Sequence, residues 1–182
     1  MTSTEKAIIF IDGSNHYNIV KNLVRNTKRM FDFNFEIFIK KITKNKELIR
    51  TYYYTAPLDW KKNKETYFKQ QKFFEKLRKI PNFKLTLCRM QKVRIDGKII
   101  YQVKEDDIHL AVDMVKLAYN NVYDTAILVS SDGDFVPAIQ AVQEIGKRVE
   151  NIGFENKFSY YLKQECDKFI KLNRVFIESC FN

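Results

Sequence analysis

The sequence predicts a three-layer α/β fold in which helices flank a mostly parallel central sheet of about five strands. Two apolar runs rich in Ile and Val, IIFID and TAILVSSD, each stop at an aspartate. Such runs are typical of parallel strands that are buried on both faces. A segment with helical periodicity follows each run, as expected where helices cover a sheet. The length of 182 residues is enough for a single core, so we assign residues 1–182 to one domain.

Four segments have the apolar, β-branched or aromatic composition of strands. They are residues 6–12, 48–56, 124–130 and 148–153. Gly13 follows the first of them and allows the backbone to turn sharply. The second contains three consecutive tyrosines, which we interpret mainly as core residues because alternation along a strand buries at least Tyr53.

Five segments carry apolar residues at helical spacing and are predicted to be helices. They are residues 14–26, 60–80, 105–119, 135–145 and 158–172. Pro137 lies in the first turn of the fourth helix, where proline is tolerated. His16, near the start of the first helix, is interpreted as an exposed or capping residue. Residues 31–43 have aromatic residues at both helical and alternating spacings, so their type stays open.

A basic β-hairpin is predicted between the second and third helices. Residues 83–94 and 98–103 are extended runs separated by Asp96-Gly97, a dipeptide typical of two-residue hairpin turns. The second arm leads directly into the helix predicted at 105–119. The hairpin is therefore expected to lie beside the start of that helix.

The net charge of +10 is concentrated in one part of the chain. Residues 61–94 carry twelve Lys or Arg against two acids, whereas the basic and acidic residues elsewhere balance. A confined basic patch favours a polyanionic partner. The candidate substrate-binding residues in this stretch are Lys69, Lys72, Lys76 and Lys79 on the helix, with Arg89, Lys92 and Arg94 on the hairpin.

Cysteine usage and the N-terminal residues indicate a cytoplasmic protein without membrane association. The three cysteines show no CxxC spacing, which favours reduced thiols. The apolar run at residues 7–11 is too short for a signal peptide or a membrane span.

Three aspartates are expected to meet in one crevice. Asp12 and Asp132 follow the two apolar runs, and the carboxyl ends of parallel strands meet at one edge of a sheet. Asp107 lies in the middle of the apolar arc of the helix at 105–119, at about 100° per residue. The opposite side of that helix holds Asp106, His109, Asp113 and Lys116. A carboxylate on the sheet-facing arc costs free energy unless a charge compensates it, and a cation would do so.

Three motifs along the chain resemble those of a known nuclease family. IFIDGSNHYN, VKEDDIHLAVDMV and LVSSDGDFVPAI are similar to the motifs of NYN domains, a branch of the PIN-like nuclease superfamily, in the same order. The resemblance extends from about residue 6 to about residue 173. It implies a PIN-like fold and a metal-dependent ribonuclease.

The resemblance also implies roles for individual residues. Those matching the acidic positions of the family are Asp12, Asp107, Asp132 and Asp134. Asn15 matches the polar residue after the first aspartate, and Lys104 and Asp113 match recurrent positions of the second motif. Bacterial relatives usually carry an apolar residue in place of Asp106, which leaves open which of the two adjacent aspartates faces the metal. Helical phase favours Asp107, and Ser131 is a further candidate in the third motif.

Clustered carboxylates indicate a hard divalent cation. They repel one another and raise their own pKa values unless a cation is present. Oxygen ligands without His or Cys select Mg²⁺ or Mn²⁺, held by Asp12, Asp107 and Asp132. Asp134 has two interpretations: an N-cap for the helix at 135–145, or a carboxylate that holds a second ion or orients the attacking water. Asn15 and Lys104 are candidates for phosphate contacts.

The predicted function is hydrolysis of RNA phosphodiester bonds, with DNA left open as a substrate. Three alternatives remain: a nucleic-acid-binding module with little or no cleavage, a phosphatase of the haloacid-dehalogenase kind, and a regulatory protein-interaction domain. The phosphatase requires a second acid two residues after the first, where this chain has Ser14. For Asp113, pairing with Lys116 or a neighbouring loop is favoured over a catalytic role.

Overall fold

The computed structural model describes residues 4–25, 27–61, 63–95 and 98–181, and for Ile95 and residues 98–104 it describes the backbone alone. Six parallel strands form the central sheet in the order β3-β2-β1-β6-β7-β8. Their bounds are β1 Lys6–Asp12, β2 Glu47–Thr55, β3 Phe83–Leu87, β6 Thr125–Val129, β7 Arg148–Phe154 and β8 Lys168–Leu172. A separate antiparallel pair consists of β4 Arg89–Ile95 and β5 Lys98–Lys104.

The strand order changes direction next to β1. From β1 the chain builds outward through β2 and β3, then returns to pair β6 with the other edge of β1 and continues through β7 and β8. The carboxyl ends of β1 and β6 therefore border the crevice in which ligands of open parallel sheets bind.

Helices cover both faces of the sheet, which confirms the predicted three-layer α/β architecture. The helices are α1 Gly13–Leu23, α2 Phe35–Thr43, α3 Lys64–Arg78, α4 Asp106–Tyr119, α5 Val136–Glu144, α6 Tyr160–Glu165 and α7 Arg174–Glu178. One core contains apolar residues of α1, α2, α3 and α7, and the other contains those of α4, α5 and α6. Alternate residues of β1 serve the two cores, with Ile9 and Ile11 in the first and Ile8 and Phe10 in the second.

The prediction of one helix over residues 158–172 is wrong. The helix α6 ends at Glu165, and the chain then forms β8, whose Ile170 pairs with Ile152 of β7. The backbone N–H of Val149 donates to the carboxylate of Asp167 at 2.7 Å and fixes the turn between the two elements. The apolar residues of this segment fit either a helix or a strand, and pairing with β7 decides the outcome. It adds a sixth strand to the sheet.

The predicted extended run at 83–94 is divided between two sheets. β3 pairs with β2, and the strand ends before Cys88, whose N–H donates to the Thr55 carbonyl at 2.7 Å. β4 and β5 then form the predicted hairpin, from Arg89 opposite Lys104 to Ile95 opposite Lys98. The Asp96-Gly97 turn itself lies outside the described residues.

The aromatic segment whose type was open contains helix α2. Asn34 caps it by accepting a hydrogen bond from the Ile37 N–H at 3.1 Å. Its phenylalanines and isoleucines are packed into the first core, as expected for an amphipathic helix. Within the parts of the chain that the structure describes, no helix combines the length and apolar character needed to cross a bilayer.

Candidate metal and active site

Asp12 occupies the carboxyl end of β1 and is 5% exposed. One carboxylate oxygen accepts the Asn15 N–H at 3.0 Å, so Asp12 caps α1. The other accepts the Ser130 hydroxyl at 3.1 Å. These two hydrogen bonds orient the Asp12 carboxylate at the junction of β1, α1 and the end of β6.

Gly13 permits a close approach of the backbone behind Asp12. A Cβ at this position would lie 2.5 Å from the Tyr54 carbonyl oxygen and 2.4 Å from the Tyr53 ring. The Tyr53 hydroxyl donates to the Gly13 carbonyl at 3.2 Å. The turn from β1 into α1 is therefore held against β2, and no larger residue fits there without movement of the backbone.

The turn after β6 is tied to the same junction through Asn15. The Ser131 N–H donates to the Asn15 side-chain oxygen at 3.1 Å, and the Ser131 hydroxyl donates to the Lys157 carbonyl at 2.9 Å. The Asp132 N–H donates to the Ser130 hydroxyl at 3.1 Å. Asn15 and Ser131 therefore position the site, and Ser130 joins Asp12 to the turn that carries Asp132.

Both aspartates at the start of α4 lie close to Asp12. Carboxylate oxygens of Asp12, Asp106 and Asp107 all lie within 4.8 Å of one another, a spacing that fits a shared metal ion. Asp106 is 8% exposed, whereas Asp107 is exposed. The prediction that Asp106 lies on the solvent side of the helix is therefore wrong.

The phase error has a physical reason. The buried positions of α4 are Asp106, Leu110, Met114 and Ala118. They lie four residues apart, so the buried stripe is narrow and turned by about one residue from the predicted arc. Ala111 and Val115, which centred that arc on Asp107, are only partly buried. The helix begins after Glu105, whose left-handed backbone (φ 76°) sets where the first turn starts.

Burial and like charge raise the pKa of two of these carboxylates. The pKa of Asp12 is raised from 3.8 to about 7, first by burial and then by the neighbouring charges of Asp107 and Asp106, while the Asn15 N–H and Ser130 hydroxyl oppose the change. The pKa of Asp107 is raised to about 6, first by partial desolvation of its carboxylate beside the other aspartates and then by the charges of Asp106, Asp132 and Asp134. The cluster therefore contains uncompensated negative charge that a cation would stabilise.

Asp132 and Asp134 border the cluster. Asp132 is half-buried and accepts the Asp134 N–H at 3.0 Å, so it caps the 3₁₀ turn Gly133–Phe135. Asp134 is exposed and does not cap α5, whose N-cap position is Phe135 without a side-chain hydrogen bond. Among the described residues, the group within metal-ligand spacing contains neither of these two carboxylates. Both are near enough to raise the pKa of Asp107.

Asp113 has a structural partner on β2. It accepts a hydrogen bond from the Tyr54 hydroxyl at 2.9 Å, and its charge, after burial, raises the pKa of that hydroxyl further. The predicted pairing with Lys116 or a loop is therefore replaced by a contact with a buried tyrosine. Asp113 lies about two turns along α4 from the acidic cluster, which separates it from the site.

The predicted lysine row on α3 does not present a uniform surface. Lys69 forms an ion pair with Glu65 at 2.6 Å, and both side chains are exposed. Lys76 donates to the Phe31 carbonyl at 2.9 Å and lies 4.0 Å from the centre of the Phe31 ring. Lys72 and Lys79 are exposed. Lys69 and Lys76 are therefore both engaged by the protein, and the positive charge available to a ligand centres on Lys72 and Lys79.

The hairpin begins beside the acidic cluster. Arg89, at its base, forms an ion pair with Glu105 at 2.7 Å, one residue before Asp106. Lys92 and Arg94 lie further along β4 with exposed side chains. Lys104 pairs through its backbone with Arg89, and its side chain lies outside the described residues. The predicted proximity of a basic arm to the acidic crevice is seen at the hairpin base.

The pattern of the NYN domain matches residues 6–173, nearly the whole chain. The chain belongs to the NYN domain family. NYN domains are a PIN-like nuclease family, and the cluster of aspartates at the sheet's switch point is consistent with a metal-dependent nuclease.

Two further comparisons place this NYN domain beside proteins of unassigned activity. A protein of unknown function from Vibrio parahaemolyticus has a solved structure with a TM-score of 0.71 and 26% identity, covering 95% of this chain and 97% of that one. An uncharacterized protein of Methanocaldococcus jannaschii is 41% identical over 70 residues, which are 38% of this chain and 29% of that protein. The NYN domain thus matches under a third of the archaeal protein's length. The Vibrio structure supports the fold.

Sequence reasoning missed two residues around the NYN site. Ser130 is fully buried and contacts both the Asp12 carboxylate and the Asp132 backbone. Its position at the end of an apolar strand, directly before the acidic turn, is the sequence pattern that could have identified it. Asn151 of β7 donates to the carbonyls of Leu128 and Ser130 at 3.1 and 3.0 Å and holds the end of β6 from the other side. Its polar position within an apolar strand was the corresponding signal.

Proposed function

We propose that this NYN domain is a metal-dependent ribonuclease that hydrolyses RNA phosphodiester bonds at the aspartate cluster. The observation that carries the proposal is the convergence of the Asp12, Asp106 and Asp107 oxygens within 4.8 Å at the switch point of the sheet. A site built from carboxylates alone, inside a nuclease family, favours phosphodiester hydrolysis over the other reactions considered.

The donor set fits Mg²⁺ or Mn²⁺. All three groups are carboxylates, and hard divalent ions prefer oxygen ligands. The raised pKa values of Asp12 and Asp107 mean that a positive charge at this position is favoured in the fold. We assign Asp12, Asp106 and Asp107 as ligands and Asp132 as a ligand through water. Such an ion supplies Lewis acidity toward the scissile phosphate and lowers the pKa of a bound water.

The remaining residues of the site have separate tasks in this proposal. Asp134 is exposed at the rim and orients the attacking water or accepts its proton. Asn15 keeps the two turns in register through Ser131, and its amide nitrogen is the group that would contact a phosphate. We retain Lys104, next to the start of α4 in the chain, as a second phosphate contact.

RNA is held by the basic stretch at residues 61–94. Its charge excess of +10 equals that of the whole chain, and such a surface is needed to hold phosphates near carboxylates that repel them. The exposed side chains of Lys72, Lys79, Lys92 and Arg94 supply this charge. The three cysteines are free thiols, which fits the reducing cytoplasm that we propose as the site of action.

A second candidate is a nucleic-acid-binding or regulatory module with little cleavage. The observation that favours it is that the basic surface of α3 and the hairpin serves binding without any contribution from the cluster. The two candidates differ in whether the bound strand is cut.

Cleavage of labelled RNA tests the proposal. Single-stranded RNA, structured RNA and DNA of the same sequence are incubated with the protein in Mg²⁺, Mn²⁺ or EDTA. We expect cleavage of RNA that EDTA abolishes and that Asp12→Asn and Asp106→Asn remove, with RNA affinity retained. Asp113→Asn is the matched control, because it changes an aspartate of α4 outside the cluster and keeps an acceptor for Tyr54. Binding without cleavage would favour the second candidate, and equal cleavage by Asp12→Asn would refute the site.

A further inference from the structure

Two consecutive exposed tyrosines lie at the start of α6. Tyr160 is 62% exposed and Tyr161 is 71% exposed, and Phe158 before them is also exposed. Aromatic rings stabilise a protein most when they are buried, so a group of adjacent exposed rings indicates a binding surface. Neither tyrosine takes part in the site described above.

These rings border the acidic cluster. A Cβ placed on Gly133, between Asp132 and Asp134, would lie 3.7 Å from Cδ2 of Tyr161 and 3.3 Å from the Ser159 hydroxyl. The segment before α6 is also fastened to the site, because the Ser131 hydroxyl donates to the Lys157 carbonyl. The tyrosines therefore lie at the rim on which Asp132 and Asp134 are carried.

The hairpin and the tyrosines flank the cluster from different sides. The hairpin leaves the sheet beside the end of β2, on one side of β1. Helix α6 connects β7 with β8, on the other side of β1. An RNA strand that runs from the hairpin across the acidic cluster would next contact the surface of α6.

Lysines lie against the rings of this surface. Lys163 Nζ is 5.9 Å from the ring centres of both Tyr160 and Phe169, and Lys171 Nζ is 5.9 Å from the centre of Phe158. Phe158 and Phe169 are themselves 5.4 Å apart. Aromatic faces with interleaved ammonium groups are the chemistry that binds unpaired bases and their phosphates. Residues 155–172 carry four basic and three acidic residues, so charge alone does not explain an attraction here.

We propose that Tyr160 and Tyr161 form a base-stacking platform for single-stranded RNA on the side of the cluster opposite the hairpin. The inference rests on the proposed function and adds a substrate class to it. The hairpin and α3 attract the phosphates, whereas the platform binds the faces of unpaired bases next to the scissile bond. Bases in a duplex are already stacked on their neighbours, so the platform selects single strands.

Binding measured in EDTA tests the platform separately from cleavage. The probes are a fluorescein-labelled single-stranded RNA of roughly 12 nucleotides, the duplex of the same sequence, and an abasic sugar-phosphate oligomer of equal length. The variants are Tyr160→Ala, Tyr161→Ala, the double variant, and the two Tyr→Phe changes. Tyr119→Ala is the control, because Tyr119 is 80% exposed on α4 and lies about 20 Å along that helix from Asp106.

Each Tyr→Ala change should weaken binding of the single strand by about fivefold or more, the lower limit for loss of one stacked base. Tyr→Phe and Tyr119→Ala should bind as wild type, and binding of the abasic oligomer should not respond to any of these changes. The platform is refuted if the double variant binds the single strand as wild type does, if it loses affinity for the abasic oligomer equally, or if the wild type does not bind the single strand.

The outcomes separate this inference from the ribonuclease proposal. Cleavage by wild type together with unchanged binding by the double variant refutes the platform and leaves the ribonuclease. Weakened binding by the Tyr→Ala variants without any cleavage by wild type supports the platform and refutes the ribonuclease. Thermal melts of the variants confirm that the exposed substitutions leave the fold intact.

Discussion

His16 should make the folded protein sensitive to mild acid. The interpretation of His16 as an exposed or capping residue is wrong, because it is fully buried on α1 and Asp12 caps that helix. Its ring lies 5.2–6.0 Å from those of Phe33, Phe35, Phe38 and Phe154. Neither ring nitrogen has a hydrogen-bond partner within the described residues. Burial lowers the pKa of His16 from 6.5 to about 3, so the imidazole stays neutral in the fold while the unfolded chain takes up a proton.

The sign and size of the effect follow from this difference in proton uptake. Below pH 6.5 the unfolded state binds the additional proton, so the free energy of unfolding falls as pH falls. Between pH 7 and pH 5 the loss should be about 2 kcal/mol, at 1.36 kcal/mol per pKa unit. Asp12 and Asp107 have raised pKa values and act in the opposite direction, losing stability as pH rises. Their contribution cancels when two proteins that share them are compared.

The substitution His16→Leu isolates the imidazole. Its volume is similar, and it removes two buried nitrogens without partners, so we expect the variant to be at least as stable as wild type at pH 7. Urea unfolding in EDTA at pH 7 and pH 5 should show the stability difference between variant and wild type growing by about 2 kcal/mol in favour of the variant. His109→Leu is the control, because the other histidine of the chain is exposed on α4. A stability difference that stays constant with pH would refute a neutral, desolvated imidazole.

Three further predictions concern the turn, the basic surface and the cluster. Gly13→Ala should lower the free energy of unfolding by about 1–3 kcal/mol, because a Cβ at this position would collide with the backbone of the neighbouring strand. Urea unfolding measures this change, and a change within experimental error would contradict the close approach. Changing Lys72 and Lys79 to Gln should reduce the slope of log binding constant against log salt concentration for RNA by roughly 0.7–0.9 per lost phosphate contact. Lys76→Gln should chiefly lower the free energy of unfolding, by about 1 kcal/mol, because Lys76 contacts Phe31. Equal effects of these substitutions on the slope would show that Lys76 also contacts RNA. Asp106→Asn should melt at a higher temperature than wild type in EDTA, because it removes a negative charge that repels the other aspartates. Added Mn²⁺ should stabilise this variant by less than the roughly 2.7 kcal/mol expected for wild type at a hundredfold excess over Kd. Stabilisation equal to that of wild type would show that Asp106 is not a metal ligand.

The position of the site could be predicted from sequence because it depends on strand ends. The apolar runs before Asp12 and Asp132 indicated buried parallel strands, and the meeting of their carboxyl ends follows from topology alone. The choice between Asp106 and Asp107 depends on a rotation of α4 by one residue. That rotation is set by how Leu110 and Met114 pack against the sheet, which periodicity does not resolve.

Other features depend on contacts between distant segments. The aromatic surroundings of His16 combine α1 with residues around α2 and with Phe154 of β7, and no local pattern joins them. Lys76 matched the other lysines of α3 in spacing, but its partner Phe31 lies 45 positions earlier. The strand β8 was concealed because its apolar residues suit a helix equally, and only the exposed edge of β7 selects the extended form.

If the proposed ribonuclease holds RNA along β4, the attachment of the hairpin sets a minimum length for an RNA that contacts the whole strand. Arg89 is anchored to Glu105 beside the acidic cluster, and Arg94 lies five residues further along β4. At about 3.4 Å per residue, the Cα atoms of these two arginines are separated by roughly 17 Å along β4. A stacked RNA strand advances by a similar 3.4 Å per nucleotide, so in the proposed ribonuclease about five nucleotides on that side of the cut would be needed to reach Arg94. Shorter oligonucleotides would not reach the outer part of the hairpin. The rate of cleavage should therefore rise with oligonucleotide length until Arg94 is reached.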